Sequence, residues 1–183
     1  MRMRTGRVRL DDLAIHGPAF VHRLVNQESN AYRFRSLGPG INARAVEHAL
    51  TEGVLSQFVL VADESPVGLL QAILPDFKHG TAQLAVLLDE RLHRSGWPLE
   101  GLVLFVNHTF TVYPLRKFYL EILKPNVELI GARGLEKQFR PEGVLVKHEW
   151  FMGDYVDAHF YSISRDDFYA DQRLVRLLAE ETE

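Results

Sequence analysis

The sequence contains no cysteine and no long apolar run. With no thiol among its 183 residues, neither a disulfide framework nor thiolate chemistry is available, and any reactive sulfur must come from a ligand. The longest apolar segments are too short to span a membrane, and the basic residues 1–7 lack the apolar core of a signal peptide. We therefore expect a cytoplasmic location and no membrane partner.

Charge and histidine spacing exclude further classes of function. The formal net charge is -3, which gives no basis for broad nucleic-acid binding. The eight histidines show no metal-ligand spacing, so we expect no metal. Hydrophobic residues make up 46% and charged residues 25% of the chain, and no repeat or low-complexity segment is present. This composition predicts one globular domain over residues 1–183.

Hydrophobic periodicity and turn residues predict the order of the elements. A strand at residues 7–10 precedes a helix at Pro18–Val25 and a second helix that Asn42 caps. The later strands are predicted at residues 57–62, 67–74, 82–88, 118–122, 143–151 and 155–163. The later helices are predicted at residues 98–110, at residues 127–139 with interruptions at Gly131 and Gly134, and at residues 166–180. This mixed order predicts an α+β (mixed α/β) fold around one sheet.

The most informative segment is the turn at residues 93–100. It joins an apolar run of strand length at residues 82–88 to one of helical length at residues 101–106. A turn of this kind points free backbone N–H groups and the positive end of the helix dipole at one spot, which suits a phosphate or pyrophosphate. Pro98 fits the first helical turn. An ordinary strand–turn–helix connection is the alternative.

Several later motifs follow this turn in a fixed order. Asn126 precedes Gln138-Phe139, Glu142-Gly143 comes next, and residues 153–157 read Gly-Asp-Tyr-Val-Asp. Together with the turn, these segments resemble the GNAT superfamily of acyl-CoA-dependent N-acyltransferases. Within it they resemble the subgroup of ribosomal-protein and small-molecule N-acetyltransferases. The matching elements run from about residue 7 to residue 168.

The resemblance implies a fold and a reaction. The fold is a central, mostly antiparallel twisted sheet, splayed in the middle, with helices on both faces. The reaction is direct transfer of an acyl group, with acetyl first, from acetyl-CoA or another acyl-CoA to a primary amine on a small molecule or a protein N-terminus. A GNAT-fold protein that binds CoA or a metabolite without efficient transfer is the alternative. It is motivated by four departures from the family pattern. His93 replaces the usual Arg or Gln, and Pro98 replaces the usual Gly or Ala. Leu129 replaces the usual Ser, and Gln138 replaces the usual Gly.

The resemblance also assigns the donor contacts. Backbone N–H groups of the family's glycine loop bind pyrophosphate, and here that loop comprises His93, Arg94, Ser95, Gly96, Trp97 and Pro98. The splayed strand that precedes the loop pairs with pantetheine amides, which assigns Val86, Leu87 and Leu88. Asn126 is expected to cap the next helix, either alone or together with a ligand contact.

Three further residues are candidates for catalysis. Tyr119 could protonate the leaving thiolate, with packing in the sheet as the alternative. Asp157 and His159 are two apart in a strand and therefore share a face. A carboxylate beside an imidazole can orient a base or bind a cationic amine, and exposed polar positions are the alternative.

The late aromatic hairpin predicts an oligomeric state. Residues 150–161 place more apolar side chains on this hairpin than a lone sheet edge should expose. We therefore expect a homodimer.

Overall fold

Seven strands form one sheet in the described part of the chain. The computed structural model describes residues 3–5, 7–27, 30, 40–89 and 97–179, without the side chains of Trp97, Leu129 and Ile130. The strands are β1 (Val8–Asp11), β2 (Val54–Ala62), β3 (Ser65–Asp76), β4 (Thr81–Leu88), β5 (Lys117–Leu123), β6 (Arg140–Phe151) and β7 (Asp154–Ser164). They lie in the order β1-β2-β3-β4-β5-β7-β6, and all neighbours are antiparallel except β4 and β5.

Helices cover both faces of this sheet. They are α1 (Leu13–His16), α2 (Pro18–Val25), α3 (Ala43–Ala49), α4 (Trp97–Val112), α5 (Lys124–Ile130), α6 (Ala132–Glu136), α7 (Arg165–Ala170) and α8 (Gln172–Ala179). Because strand residues alternate between faces, Val59 and Val61 pack with α2 and α3, whereas Leu60 and Ala62 pack with α4. We call these two sides the α2 face and the α4 face. The predicted α+β fold is confirmed.

None of the described helices combines the length and the apolar character needed to cross a bilayer.

Local sequence signals account for several element boundaries. α2 spans Pro18–Val25 as predicted, with its proline in the first turn. The side chain of Asn42 accepts a hydrogen bond from the backbone nitrogen of Ala45 at 2.9 Å, which confirms the predicted cap of α3. Asp63 and Glu64 adopt φ angles of 45° and 60°, which suit the two-residue turn between β2 and β3.

Two predicted helices are each divided in two. Over residues 127–139, Gly131 with a φ of 88° separates α5 from α6, because this backbone conformation ends a helix. Over residues 166–180, Asp171 is extended and separates α7 from α8. The interruption predicted at Gly131 is therefore confirmed, whereas the one predicted at Gly134 is wrong because Gly134 lies inside α6. The continuous helix predicted over residues 166–180 is also wrong.

The prediction that Asn126 caps its helix is also wrong. The N-cap of α5 is Leu123, and Pro125 lies in the first turn. Proline is pre-organised for that turn, so the helix begins before it. Asn126 consequently lies inside α5 rather than at its cap.

Gly68 sets the spacing between β3 and β4. A Cβ atom added there would lie 2.9 Å from the carbonyl oxygen of Leu87 and 2.9 Å from Cδ2 of Leu88. The first of these atoms belongs to the backbone of β4, so it can move only if the strand moves. The absence of a side chain at Gly68 therefore fixes the position of the end of β4.

We predict that Gly68→Ala destabilises the protein by about 1–3 kcal/mol, the usual cost of forcing atoms into a packed core. Gly134→Ala is the control, because Gly134 lies in α6 with no atom within 4 Å of an added Cβ. There alanine should be neutral or stabilising by up to about 1 kcal/mol. Urea unfolding of both variants checks this, and equal stability of the two would contradict the role given to Gly68.

Candidate active site

The sheet opens between β4 and β5. Three registers of parallel pairing join these strands, and the last of them pairs Gln83 with Tyr119. Beyond that point β4 continues to Leu88 and β5 to Leu123 with no further paired residue between them. Because main-chain N–H and C=O groups need partners, the facing edges can hydrogen-bond an extended ligand. The splay predicted in the middle of the sheet is confirmed.

The predicted donor-binding residues of β4 lie along this opening. Val86 and Leu88 are half-buried against the core of the α4 face, and Leu87 is buried in the core of the α2 face. The carbonyl oxygen of Leu88 accepts a hydrogen bond from Nδ2 of the buried Asn30 at 2.8 Å. Leu88 therefore already has a partner at the far end, whereas Val86 lies midway along the open edge.

The predicted phosphate-binding turn lies mostly outside the described residues. This holds for His93, Arg94, Ser95 and Gly96, and Trp97 is described by its backbone alone. α4 begins at Trp97 with Pro98 next, and it runs for 16 residues. The positive end of the α4 dipole is therefore at Trp97, the residue that directly follows Gly96 in the sequence.

Glu100 ties the first turn of α4 to the N-terminal segment. It is buried, its carboxylate accepts a hydrogen bond from Oγ1 of Thr5 at 3.0 Å, and it forms an ion pair with Arg7. These contacts fix the start of the helix against the beginning of β1.

Asn126 presents an oxygen that has no partner among the described residues. Its Oδ1 is buried and has no hydrogen bond within the described part of the chain. Leaving a buried carbonyl oxygen unpaired is costly. An N–H group of a ligand could supply the missing donor.

The three predicted catalytic residues do not form one constellation. Tyr119 lies opposite Ser162 of β7, and His159 lies opposite Ile122 of β5. Paired residues share a face and successive residues alternate, so Tyr119 is on the α2 face and His159 is on the α4 face. His159 stacks against Tyr161, with ring centroids 6.5 Å apart.

Asp157 holds a bulge in β6. Its Oδ1 accepts a hydrogen bond from the backbone nitrogen of Lys147 at 2.9 Å. Lys147 has a φ of 49° and lies where the pairing of β6 with β7 shifts register, between Leu145 and Glu149. The carboxylate therefore stabilises an irregular stretch of the edge strand.

A chain of polar contacts surrounds Tyr119 on the α2 face. The Nζ atom of Lys117 lies 5.1 Å from the centroid of the Tyr119 ring and 2.6 Å from Oε1 of Glu142. The hydroxyl of Ser162 donates to the same oxygen at 2.5 Å. Hydrogen bonds from Lys117 and Ser162 hold the pKa of Glu142 below its usual value.

A second carboxylate on this face was missed from the sequence. Glu121 follows Tyr119 by two residues on β5, and its carboxylate lies with side-chain atoms of His148 and Glu149, all within 4.8 Å of one another. Desolvation and the charge of Glu149 raise the pKa of Glu121, and His148 acts in the opposite direction. Strand alternation from Tyr119 could have identified Glu121, but no sequence signal marks the bulge that brings the other two residues to it.

Comparison with known proteins identifies the fold. No protein-family model matches the sequence, and no curated protein matches it significantly. The solved spermidine N-acetyltransferase from Vibrio cholerae, in complex with CoA and spermine, is similar to this chain with a TM-score of 0.76 and 20% identity, over 90% of this chain and 99% of that one. The chain has the GNAT fold.

Two further GNAT structures support this result. An acetyltransferase from Salmonella typhimurium that modifies the N-terminal serine of a 50S ribosomal subunit protein has a TM-score of 0.71 and 16% identity, over 87% of this chain and 96% of that one. A spermidine/spermine N-acetyltransferase from Vibrio cholerae, in complex with manganese ions, has a TM-score of 0.71 and 20% identity, over 91% of this chain and 97% of that one. At such identities the similarity establishes the fold.

In this GNAT fold, the candidate groups gather around the end of the parallel pairing. Tyr119 is in the last paired register, Glu121 follows it along the open edge of β5, and Asn126 lies in the helix directly after that strand. Val86 faces the same opening from β4.

Proposed function

We propose that this protein is an N-acyltransferase that moves an acyl group, with acetyl as the first candidate, from acyl-CoA to a primary amine. The opening between β4 and β5 in a GNAT fold carries the proposal, because it offers unpaired main-chain edges beyond Gln83 and Tyr119. A neighbouring structure is a spermidine N-acetyltransferase in complex with CoA and spermine. The proposed acceptor is an amine on a small molecule or on a protein N-terminus.

The residues present fit an acyl-CoA donor. The open edge of β4 around Val86 suits the amides of pantetheine, and the unpaired Oδ1 of Asn126 suits an N–H group of the same ligand. For the pyrophosphate we propose residues 93–98, since the positive end of the α4 dipole favours anions there. The donor would supply the reactive thioester, and these residues of the protein would hold it in position.

The proposed chemistry is direct attack of the amine on the thioester. The chain has no cysteine, and Leu129 occupies the position of the family's serine, so positioning supplies most of the rate. Tyr119 is the proposed proton donor to the leaving thiolate, with water as its substitute. The roles of Asp157 and His159 in assisting the amine stay predictions. The cytoplasmic location and the absence of metal, nucleic-acid and membrane partners also stay predictions.

The first experiment is calorimetry with acetyl-CoA and CoA, followed by a thiol-release assay over a panel of amines. We expect binding and turnover, and Gly96→Asp should abolish binding because it adds a negative charge where the pyrophosphate is proposed to lie. Gly134→Asp is the control, since it makes the same change at an open position of α6. No binding at millimolar concentration by the folded protein would contradict the donor assignment, and binding without turnover would favour a CoA-binding protein.

Tyr119→Phe should lower kcat by at most about tenfold, because water can protonate a thiolate and a dedicated acid–base group is worth about 10²–10⁴-fold. Tyr169→Phe is the control, since Tyr169 is an exposed residue of α7. Steady-state kinetics at saturating acetyl-CoA checks this. A loss beyond about a thousandfold, with acetyl-CoA affinity unchanged, would make Tyr119 an essential acid.

The proposal includes a homodimer formed through the β6–β7 hairpin. β6 is an edge strand of the sheet, and the hairpin exposes large apolar side chains, namely Val144, Leu145, Val146, Trp150, Met152 and Tyr155. A second copy would cover both the unpaired edge and this surface. We expect sedimentation to show a dimer, and Val146→Lys to weaken it. A monomer at tens of micromolar would contradict this part of the proposal.

A further inference from the structure

Gln71 is a fully buried polar side chain on the α2 face of β3. Its exposed fraction is 0%, and it pairs with Gln57 of β2 on one side and Ala85 of β4 on the other. Two residues earlier on the same face, Leu69 belongs to the buried apolar cluster beneath α2 and α3. A carboxamide in such surroundings is expected to have hydrogen-bond partners for both of its polar atoms.

A relay of two carboxamides fixes the orientation of the Gln71 side chain. Nε2 of Gln57 donates a hydrogen bond to the carbonyl oxygen of Leu50 at 2.9 Å, so Oε1 of Gln57 is left to accept one. Nε2 of Gln71 donates to that oxygen at 2.9 Å and to the carbonyl oxygen of Ala49 at 3.5 Å. Turning the Gln71 amide by half a rotation would bring oxygen against oxygen at both contacts.

The relay leaves the oxygen of Gln71 unpaired. Its Oε1 is buried and has no hydrogen-bond partner among the described residues. Because the oxygen and nitrogen of a planar carboxamide diverge, Oε1 is directed away from Gln57 and therefore away from β2. An unpaired buried carbonyl oxygen is costly, and a methionine of similar length would pack there without it. The arrangement therefore fits a ligand that brings a donor to this oxygen.

Gln71 lies one strand away from the opening between β4 and β5. Ala85 follows Gln83 by two residues, so it belongs to the part of β4 that no longer pairs with β5. Paired residues, and residues two apart on a strand, share a face, so Gln71, Ala85 and Tyr119 are all on the α2 face. Ala85 is half-buried and its side chain is one methyl group. At this register, β4 therefore places little between Gln71 and the opening.

The strands around Gln71 carry no charge. β2, β4 and the residues of β3 as far as Pro75 include no acidic or basic side chain and no histidine. The ionisable side chains of α2 and α3 are exposed or bonded elsewhere, namely His22, Arg23, Arg44, Glu47 and His48. An ammonium ion at Gln71 would lose its hydration without gaining a counter-charge, whereas a neutral N–H or O–H group gains the missing bond at little cost.

Resting on the proposed acyl transfer, we propose that Gln71 determines acceptor specificity, with its Oε1 accepting a hydrogen bond from a neutral N–H or O–H group of the amine substrate. The substrate class is then an amine that also carries an amide or a hydroxyl group. Neighbouring strands are about 4.8 Å apart, so this second group is a few bonds from the reacting nitrogen in the opening. A polyamine fits less well, because its second nitrogen is charged.

The test uses two pairs of acceptors that differ in whether they carry the donor. Ethanolamine is paired with 2-methoxyethylamine, and glycinamide with glycine methyl ester. In the thiol-release assay, wild type should prefer the donor-bearing member of at least one pair by about tenfold or more in kcat/KM, because a site that bonds a substrate N–H or O–H group disfavours the analogue without it. The pair that shows the preference identifies the group as hydroxyl or amide. Equal turnover within both pairs would overturn the proposal.

Two variants connect the preference to Gln71. Gln71→Met removes the oxygen and keeps the side-chain length, so the preference should fall to about twofold or less while turnover of 2-methoxyethylamine changes little. Gln57→Met keeps the oxygen but breaks the relay that orients it, so the preference should fall by a smaller factor. Gln172→Met, at an exposed position of α8, is the control. A preference that survives in Gln71→Met would overturn the proposal.

Nuclear magnetic resonance keeps the test independent of turnover. The side-chain NH₂ signal of Gln71 is the one that is missing from Gln71→Met. With CoA bound, ethanolamine or glycinamide should shift this signal more than its methylated partner does, because a bond to Oε1 polarises the whole carboxamide. Equal shifts within both pairs would overturn the proposal. Failure of CoA itself to bind would instead count against the proposed function, so the two failures are distinguishable.

Melting temperatures show whether the variants are folded. Gln71→Met exchanges one unpaired oxygen for another, on Gln57, which is half-buried, so it should melt within about 5 °C of wild type. If it melts lower, Gln57→Met still decides the proposal, because residue 71 is unchanged there and the preference must fall. A crystal structure with ethanolamine or glycinamide in which water, rather than the acceptor, bonds to Oε1 of Gln71 would also overturn the proposal.

Discussion

The short pairing between β4 and β5 is the constraint on which the rest of this structure depends. Three parallel registers join the two strands, whereas β5 pairs with β7 over its full length of seven residues. β4 is paired with β3 on its other side, where Gly68 allows close approach, and Asn30 engages its end. β3 therefore holds β4, and β7 holds β5. Both strands are fixed on the side away from the opening.

The α4 face keeps the two halves of the sheet together. Leu84 of β4 and Phe118 of β5 belong to one buried cluster that also contains Phe105 and Phe110 of α4. This shared core stabilises the sheet where the main-chain pairing has ended, because buried aromatic side chains contribute much of the packing energy. The α2 face of β5 is thereby left to polar groups, which is where the proposed chemistry lies.

Asp157 illustrates how a side chain can shape a site through its contact with the backbone of a neighbouring strand. The sequence suggested a catalytic carboxylate, and the structure shows it bonded to the backbone of Lys147. A non-glycine residue with positive φ costs about 1–3 kcal/mol unless its surroundings hold it. The aspartate helps to hold it, and the resulting bulge turns His148 and Glu149 toward Glu121.

The parts of the fold that were predicted are those with local causes. The bounds of α2 follow from Pro18 and its apolar spacing, and the cap of α3 follows from Asn42. The site was predicted less well because it depends on contacts between distant residues. Tyr119 and Val86 were placed at the opening through the resemblance, but the cluster at Glu121 needs a bulge about 25 residues later, which no local pattern marks.

Hydrogen exchange of the backbone with and without acetyl-CoA tests the central claim most directly, because the claim concerns main-chain groups at the opening. The account predicts added protection along β4 beyond Gln83 and at the start of α4, with little change in the pairing of β5 with β7. Protection confined to other parts of the sheet, with β4 unchanged on binding, would contradict it.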